Sequence, residues 1–289
     1  MDSSLINTIE IHKLSNVFTE SNNLVDVLRL DKLHPIISGN KFFKLRFYID
    51  EALKTKKSIV TFGGAYSNHI VATAFACLQN GIECRGIIRG EQPNKLSETL
   101  LNALEFGMKL EYVTRADFAF LSKNYIATEN QLVIPEGGFG QLGFKGAATI
   151  GDCFNSKYDY IVCAIGTGTT IAGLSSNPEA KIVGINVLKG NETETLQNIT
   201  TLNPDATIDI ITNYHFGGYA KKNEELLAFM NQLYKTENLP TDFVYTAKMF
   251  YGLQQLIKSN YFAKNSKILA IHTGGLQGNK SLPKQTLCF

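Results

Sequence analysis

The sequence lacks a strong excess of charge and any long apolar run. Its formal net charge is only +2, which gives no broad electrostatic footprint for nucleic acid or an acidic lipid surface. No apolar stretch approaches the length of a transmembrane helix. Asp2 stands where a secretory signal would carry positive charge. These features predict a cytoplasmic protein with a small-molecule partner, acting on neither nucleic acid nor membrane.

Metal-binding patterns are also lacking. The five histidines include no His-x-x-x-His pair, and the five cysteines include no Cys-x-x-Cys pair, so we expect no metal site. Most of the cysteines lie in apolar segments and are predicted to be reduced core thiols; they are Cys77, Cys84, Cys153, Cys163 and Cys288.

Short apolar, β-branched runs recur along the 289 residues and alternate with segments of helical spacing. The predicted strands are 24–30, 58–62, 83–88, 109–113, 131–134, 158–165, 181–187, 208–211 and 267–272. The predicted helices are 43–57, 68–80, 96–106, 223–235 and 248–258. This alternation predicts an α/β fold with mostly parallel sheets flanked by helices. The glycines in 137–140 and 143–146 mark a candidate hinge or crossover between two lobes, with a ligand between them.

A strand at 158–165 leads directly into Gly166, Thr167, Gly168, Thr169 and Thr170. Glycines allow backbone N–H groups to approach a phosphate, and threonine hydroxyls add donors. A ligand-free turn is the structural alternative. A dinucleotide fingerprint would need a small residue where Ile171 stands, and no Gly-Lys-Ser/Thr tripeptide supports a nucleotide triphosphate.

A second loop, Gly63 to His69, follows another predicted strand and precedes an apolar helix. Ser67 is a plausible N-cap. The same helix start also suits a substrate carboxylate, with Ser67 and Asn68 as side-chain donors.

Lys41, in Ser38-Gly39-Asn40-Lys41, is the third element. A lysine in such a turn is usually solvated, but its amine can also form a Schiff base with an aldehyde. A lysine and a phosphate-binding loop are together what pyridoxal phosphate requires. Tyr245 suits core packing or a cofactor site, and Thr273 follows the last strand, where α/β folds bind ligands.

In this order, the segments resemble the family of 1-aminocyclopropane-1-carboxylate deaminases and D-cysteine desulfhydrases, which are pyridoxal-phosphate enzymes of fold type II. The resemblance runs from Arg29-Leu30-Asp31-Lys32-Leu33 to His272-Thr273-Gly274-Gly275. It implies two lobes, with residues 45–145 as a small domain and residues 1–44 and 146–289 as a large cofactor-binding domain, and it implies a homodimer.

The resemblance also implies roles for individual residues. Lys41 matches the cofactor-binding lysine, Ser67 and His69 the substrate-facing loop, and Asn68 a residue that contacts both the cofactor's ring oxygen and the substrate. Gly166 to Thr170 match the phosphate cup. Tyr245 and Tyr219 match two active-site tyrosines, and Thr246 and Thr273 match positions near the pyridine ring. The implied catalytic residues are Lys41, Ser67, Tyr219 and Tyr245.

Ring-opening members of the family carry Glu and Leu where this chain has Thr246 and Thr273. Two neutral hydroxyls make the cofactor ring a weaker electron sink, which favours β-elimination from a small thiol amino acid. We therefore predict D-cysteine desulfhydrase-like chemistry. The alternatives are 1-aminocyclopropane-1-carboxylate deamination and a degenerate cofactor-binding protein, because Phe139 and residues 277–279 depart from the family pattern. A nucleotide-binding oxidoreductase is a weaker alternative.

Overall fold

The structure is a computed structural model that describes residues 3–15, 18, 22–177 and 179–289. In those residues it has ten strands: β1 (Ile11–Lys13), β2 (Leu24–Arg29), β3 (Ser58–Gly64), β4 (Cys84–Arg89), β5 (Lys109–Val113), β6 (Gln131–Ile134), β7 (Tyr160–Ile165), β8 (Lys181–Asn186), β9 (Ile208–Ile211) and β10 (Lys267–His272). The same residues form nine α-helices: α1 (Asn40–Thr55), α2 (Asn68–Gln79), α3 (Glu98–Glu105), α4 (Arg115–Asn124), α5 (Gln141–Ala148), α6 (Thr169–Leu174), α7 (Glu192–Leu202), α8 (Glu224–Glu237) and α9 (Thr246–Lys258).

The strands form two sheets. The larger sheet has the order β1-β2-β10-β7-β8-β9, and the smaller has the order β5-β4-β3-β6. Only the β1–β2 pair is antiparallel among the described strands. β7 is buried at all six positions, as expected for a central strand covered by helices on both faces. The α/β fold with mostly parallel sheets is therefore confirmed.

Every predicted strand is present within two residues of its predicted ends, whereas β1 and four helices were not predicted. The missed helices are short or expose most of their residues. α4 buries only Phe118 among its ten residues, and α6 has six residues, all buried. Neither has the apolar stripe that a periodicity search detects.

Glycines in α5 pack the helices closely together. A Cβ on Gly143 would lie 2.0 Å from the Gly138 carbonyl oxygen, and one on Gly146 would lie 2.0 Å from the Phe43 carbonyl oxygen. The chain does cross from the smaller to the larger sheet between β6 and β7. Residues 143–146 are part of the packed helix α5 on this crossover, and a hinge between lobes at this segment stays a prediction.

All five cysteines are free. Cys77, Cys84 and Cys163 are buried, Cys153 is half-buried, and Cys288 is exposed, so the prediction of core thiols fails for Cys288. No helix in the described ranges has both the length and the apolar character needed to cross a bilayer.

Candidate active site

A cavity of about 460 Å³ lies at the carboxyl ends of strands from both sheets. Loops at this edge are the usual ligand-binding position in α/β folds. Eleven of the residues predicted from the sequence line it: Lys41, Ser67, Asn68, His69, Gly166, Thr167, Gly168, Thr170, Tyr219, Tyr245 and Thr273. Two others, Thr169 and Thr246, are fully buried and do not line it.

Lys41 lies in the first turn of α1, because the helix begins at Asn40 rather than at the predicted Phe43. Gly39 makes this start possible. Its φ is +66°, and a Cβ there would lie 1.8 Å from the Thr273 carbonyl oxygen. The Asn40 N–H donates to that same carbonyl over 3.2 Å. The start of α1 is thereby fixed against the end of β10.

The Lys41 ammonium Nζ donates to Asn40 Oδ1 over 3.0 Å. Asn40 Nδ2 in turn donates to Thr170 Oγ1 over 2.8 Å, which links Lys41 to the glycine-rich loop. Burial lowers the pKa of Lys41 from 10.5 to about 8, with Asp242 partly opposing the shift. The uncharged, nucleophilic form of the amine is therefore more populated near neutral pH than in an ordinary lysine.

Lys44 is a second lysine that lines the cavity, and it is buried, whereas Lys41 is half-buried. It lies one helical turn after Lys41, and it has no ion-pair partner in the part of the chain that the structure describes. Burial and the charge of Lys41 lower its pKa well below the usual value. A buried lysine without a partner is costly, and an anionic ligand would offset that cost. Sequence reasoning missed Lys44, although its i, i+3 spacing from Lys41 was a usable signal.

The glycine-rich loop connects β7 to α6. A Cβ on Gly166 would lie 3.1 Å from Tyr245 Cε1, and Gly168 has a φ of +88°. The backbone N–H groups at the start of α6 have no partner within the helix. Thr169 Oγ1 lies 3.2 Å from Thr167 Oγ1 and off the cavity surface. The loop can bind a phosphate through Gly166 to Thr170, with Thr169 contributing its backbone rather than its hydroxyl.

Ser67 occupies the N-cap position of α2, but its side chain makes no capping hydrogen bond. Its hydroxyl is half-buried in the cavity wall. The predicted N-cap position of Ser67 is therefore confirmed, but its hydroxyl does not cap the helix. Ser67 and the neighbouring Asn68 can instead donate to an anion at the helix start.

His69 also lines the cavity, although only 1% of its surface is exposed. Thr61 Oγ1 donates to the Ile134 carbonyl oxygen over 2.8 Å and lies 2.7 Å from His69 Nε2. Since the threonine hydroxyl has one proton, Nε2 must be the donor, and Nδ1 is left as an acceptor. Nδ1 has no partner among the described residues. Burial, with Lys41 and Lys44, lowers the pKa of His69 well below its usual value and keeps it neutral.

Tyr245 and Tyr219 form a pair on one wall, with ring centroids 6.3 Å apart and ring planes at 70°. Burial and the nearby Tyr219 raise the pKa of Tyr245 well above its usual value, so its phenol stays protonated. The buried Lys248 donates to the Gly218 carbonyl oxygen over 2.6 Å and anchors the loop that carries Tyr219.

The two predicted ring-facing threonines differ in position. Thr273 lines the cavity, but Thr246 Oγ1 donates to Asp242 Oδ1 over 2.7 Å and accepts from the Asp242 N–H over 2.8 Å. The Asp242 carboxylate also accepts from the N–H groups of Val244, Tyr245 and Thr246. The Asp242 carboxylate thereby caps the start of α9 and holds the Thr246 hydroxyl away from the cavity. The predicted contact between Thr246 and the cofactor is not supported.

Beneath Thr273 lies a buried ion pair between Arg29 and Asp31, with Nη2 and Oδ2 2.6 Å apart. His272 Nδ1 lies 3.3 Å from Asp31 Oδ1, and Nε2 lies 2.7 Å from the Pro240 carbonyl oxygen. This network fixes the end of β10, and through it the position of Thr273.

Arg89 and Glu136 also line the cavity and were not predicted. Arg89 ends β4, and Glu136 follows β6 by two residues. Their position after predicted strands was a signal, but sequence alone did not show that both strands neighbour β3.

Comparisons with known proteins give a consistent result. Residues 9–274 match the family model described as "Pyridoxal-phosphate dependent enzyme". A Thermotoga maritima protein named "Putative 1-aminocyclopropane-1-carboxylate deaminase" is 31% identical, with 87% of this chain and 88% of the relative covered. A Yersinia pestis protein named "D-cysteine desulfhydrase" is 27% identical, with 93% and 92% covered.

The solved structure titled "Crystal Structure Analysis of the ACC deaminase homologue" is 30% identical and superposes with a TM-score of 0.81, with 94% of this chain and 90% of that chain covered. Both the fold and the family expected from the resemblance are confirmed. The chain therefore belongs to the pyridoxal-phosphate-dependent enzymes of fold type II and is a lyase or deaminase of that group.

Proposed function

We propose that the protein catalyses β-elimination from D-cysteine and releases pyruvate, ammonia and sulfide. The observation that carries this choice is the polar environment opposite the glycine-rich loop. Thr273 is neutral, and the Asp242 carboxylate is fully engaged by three backbone N–H groups and the Thr246 hydroxyl. Asp242 lines the cavity, but these four hydrogen bonds use its acceptor positions, which leaves none to hold a proton on a pyridine nitrogen.

The residues present fit pyridoxal phosphate. Lys41 supplies a half-buried amine of lowered pKa for the aldehyde, and Lys44 supplies a buried amine of lowered pKa that an anionic ligand would hold protonated. Gly166 to Thr170 would hold the phosphate, and Asn68, Tyr245 and Thr273 would contact the ring. When bound, the cofactor supplies an electron sink for charge that develops at the substrate's α-carbon.

The remaining roles fall to the protein. Ser67 and the start of α2 would bind the substrate carboxylate, because a helix N-terminus favours an anion. Lys41 is placed to take the α-proton as general base, since its lowered pKa matches neutral conditions. Tyr219 and Tyr245, with protonated phenols, would close the cavity over the substrate side chain.

Deamination of 1-aminocyclopropane-1-carboxylate is the second candidate, and the names of the Thermotoga maritima relative and of the superposed structure favour it. Ring opening requires prolonged charge delocalisation into the cofactor ring, which a protonated pyridine nitrogen promotes. The neutral Thr273 hydroxyl and the hydrogen-bonded Asp242 carboxylate favour the faster loss of a β-leaving group.

The purified enzyme should therefore be assayed for pyruvate and sulfide from D-cysteine and L-cysteine, and for 2-oxobutyrate from 1-aminocyclopropane-1-carboxylate. We expect sulfide from D-cysteine with a kcat/KM at least tenfold above that for ring opening. Efficient ring opening without sulfide release from either cysteine would overturn the proposal.

We further propose that residues 45–145 act as a small domain against a large domain of 1–44 and 146–289. The smaller sheet (β3 to β6) lies within the first range and the larger sheet in the second. A cytoplasmic homodimer completes the proposal. Sedimentation of the purified chain tests the dimer directly.

A further inference from the structure

Arg89 is a cation at the cavity wall without a carboxylate partner in the described part of the chain. Its guanidinium lies 5.6 Å from the centre of the Phe118 ring. A Cβ on Gly64 would lie 3.4 Å from its Nη2 atom, so the charge lies beside the loop that leads to Ser67. Arg89 is thus positioned to contact a substrate bound at Ser67.

Glu136 carries a carboxyl group on the same cavity and likewise has no ion-pair partner in the described residues. It is half-buried between Pro135 and Gly137. Gly137 has a φ of +69°, and a Cβ there would lie 3.0 Å from Thr167 Cγ2, so this segment lies against the glycine-rich loop. Burial raises the pKa of Glu136, and Arg89 partly opposes that shift. The carboxyl therefore gains stabilisation from a cationic ligand group.

The sheet order places Arg89 and Glu136 on either side of the loop from Gly64 to Ser67. β3 lies between β4 and β6, and Gly64 is the register partner of Arg89. The strand ends that carry Arg89 and Glu136 are therefore separated by two strand spacings, about 10 Å. The two side chains form no ion pair within 4.0 Å, and both charges act on the pKa of the Tyr219 phenol, which also lines the cavity. A ligand group can fit between them.

We propose that Arg89 and Glu136 bind a zwitterionic group at the far end of the substrate side chain. The substrate class would be a β-thioether amino acid whose side chain ends in a second α-amino acid group. Arg89 would pair with the distal carboxylate and Glu136 with the distal ammonium. Two opposite, unpartnered charges complement such a group better than they complement an anion, a cation or an apolar end.

This proposal rests on the β-elimination proposed above and changes only the leaving group. Lys41 takes the α-proton, and the Cβ–S bond breaks with its electron pair remaining on sulfur. The sulfur takes a proton and leaves as a thiol-bearing amino acid. The three-carbon remainder adds one water molecule and leaves as pyruvate and ammonia, so no oxidant or reductant is needed.

A matched set of amino acids without a β-leaving group separates recognition from turnover. 2,6-Diaminopimelate carries the full distal zwitterion, 2-aminopimelate only its carboxylate, and lysine only its ammonium. Calorimetric titration of the cofactor-loaded enzyme with each compound gives its dissociation constant. We expect 2,6-diaminopimelate to bind at least tenfold more tightly than either single-charge compound.

Two variants test which side chain binds which distal charge. Arg89→Gln should weaken 2,6-diaminopimelate and 2-aminopimelate about tenfold while leaving lysine unchanged, and Glu136→Gln should weaken 2,6-diaminopimelate and lysine. Arg85→Gln is the matched control. Arg85 is on the same strand but pairs with Glu111 and does not line the cavity, so binding should not change.

Two results would overturn the inference. Equal affinity for all three compounds would exclude recognition of a distal charge. Alanine has no distal charged group. If Arg89→Gln weakened alanine binding as much as 2,6-diaminopimelate binding, Arg89 would bind the α-carboxylate instead. Sulfide release from D-cysteine is measured separately, so a failure of the elimination proposal leaves this binding pattern intact, and the reverse also holds.

Discussion

At the scale of single residues, two lysines line the cavity, the half-buried Lys41 and the buried Lys44. Lys41 was found from the sequence because a short motif surrounds it, whereas Lys44 appears in the sequence as one lysine among many. Its burial depends on the packing of α1 against α5, which brings together residues about 100 positions apart. Only the three-dimensional contacts separate it from the solvated lysines of the same helix, such as Lys54.

The lowered pKa of Lys41 predicts a pH-dependent stability of the cofactor-free protein. Between about pH 8 and 10.5 the unfolded chain binds more protons at this residue than the folded one does, so stability rises with pH through that window. Below about pH 8 the folded protein carries the full destabilisation from the charged Lys41 amine.

Replacing Lys41 by Met should remove this cost. We expect Lys41→Met to be more stable than the parent at pH 7, by on the order of 3 kcal/mol, with the difference closing near pH 10.5. Urea unfolding of both proteins at several pH values measures it, with the exposed Lys54→Met as control. A stability difference that does not vary with pH would contradict the buried, shifted amine.

At the scale of elements, the sequence predicted where the loops of the cavity lie. It predicted less well where the neighbouring helix begins and which side chains face the cavity. The strand before each glycine-rich loop was located within two residues. The start of α1 and the position of Thr246 were not, because each depends on a long-range contact: Gly39 against the Thr273 carbonyl, and Asp242 as a cap of α9. Local patterns carry no information on such contacts.

Two glycines in the same loop should respond differently to alanine. Gly168→Ala places a Cβ at a φ of +88° and 3.0 Å from Ile199 Cγ1, and should lower the unfolding free energy by about 1–2 kcal/mol. Gly166→Ala has no such backbone penalty, but its Cβ would lie 3.1 Å from Tyr245 Cε1.

For Gly166→Ala we therefore expect weaker cofactor binding with a change in unfolding free energy of less than about 0.5 kcal/mol. Cofactor titration beside thermal unfolding compares the two variants. The same loss of stability in both variants would show that packing alone requires the loop's shape and would count against a phosphate site.

At the scale of the whole molecule, the cavity exists because both sheets turn the carboxyl ends of their strands toward it. The alternation of strands and helices predicted the α/β class, and the family resemblance predicted the two lobes. Neither showed that β3 lies between β4 and β6, so Arg89 and Glu136 were not associated with Ser67. Strand order is set by contacts distant in sequence, which hydrophobic periodicity does not record.

The central claim is that Lys41, and no other lysine, binds pyridoxal phosphate covalently. Borohydride reduction of the cofactor-loaded enzyme, followed by digestion and peptide mass spectrometry, tests it most directly. We predict the reduced cofactor on the peptide that contains Lys41, and loss of both the label and turnover in Lys41→Ala. A label on Lys44 or on any other lysine, or retention of the label in Lys41→Ala, would contradict the account.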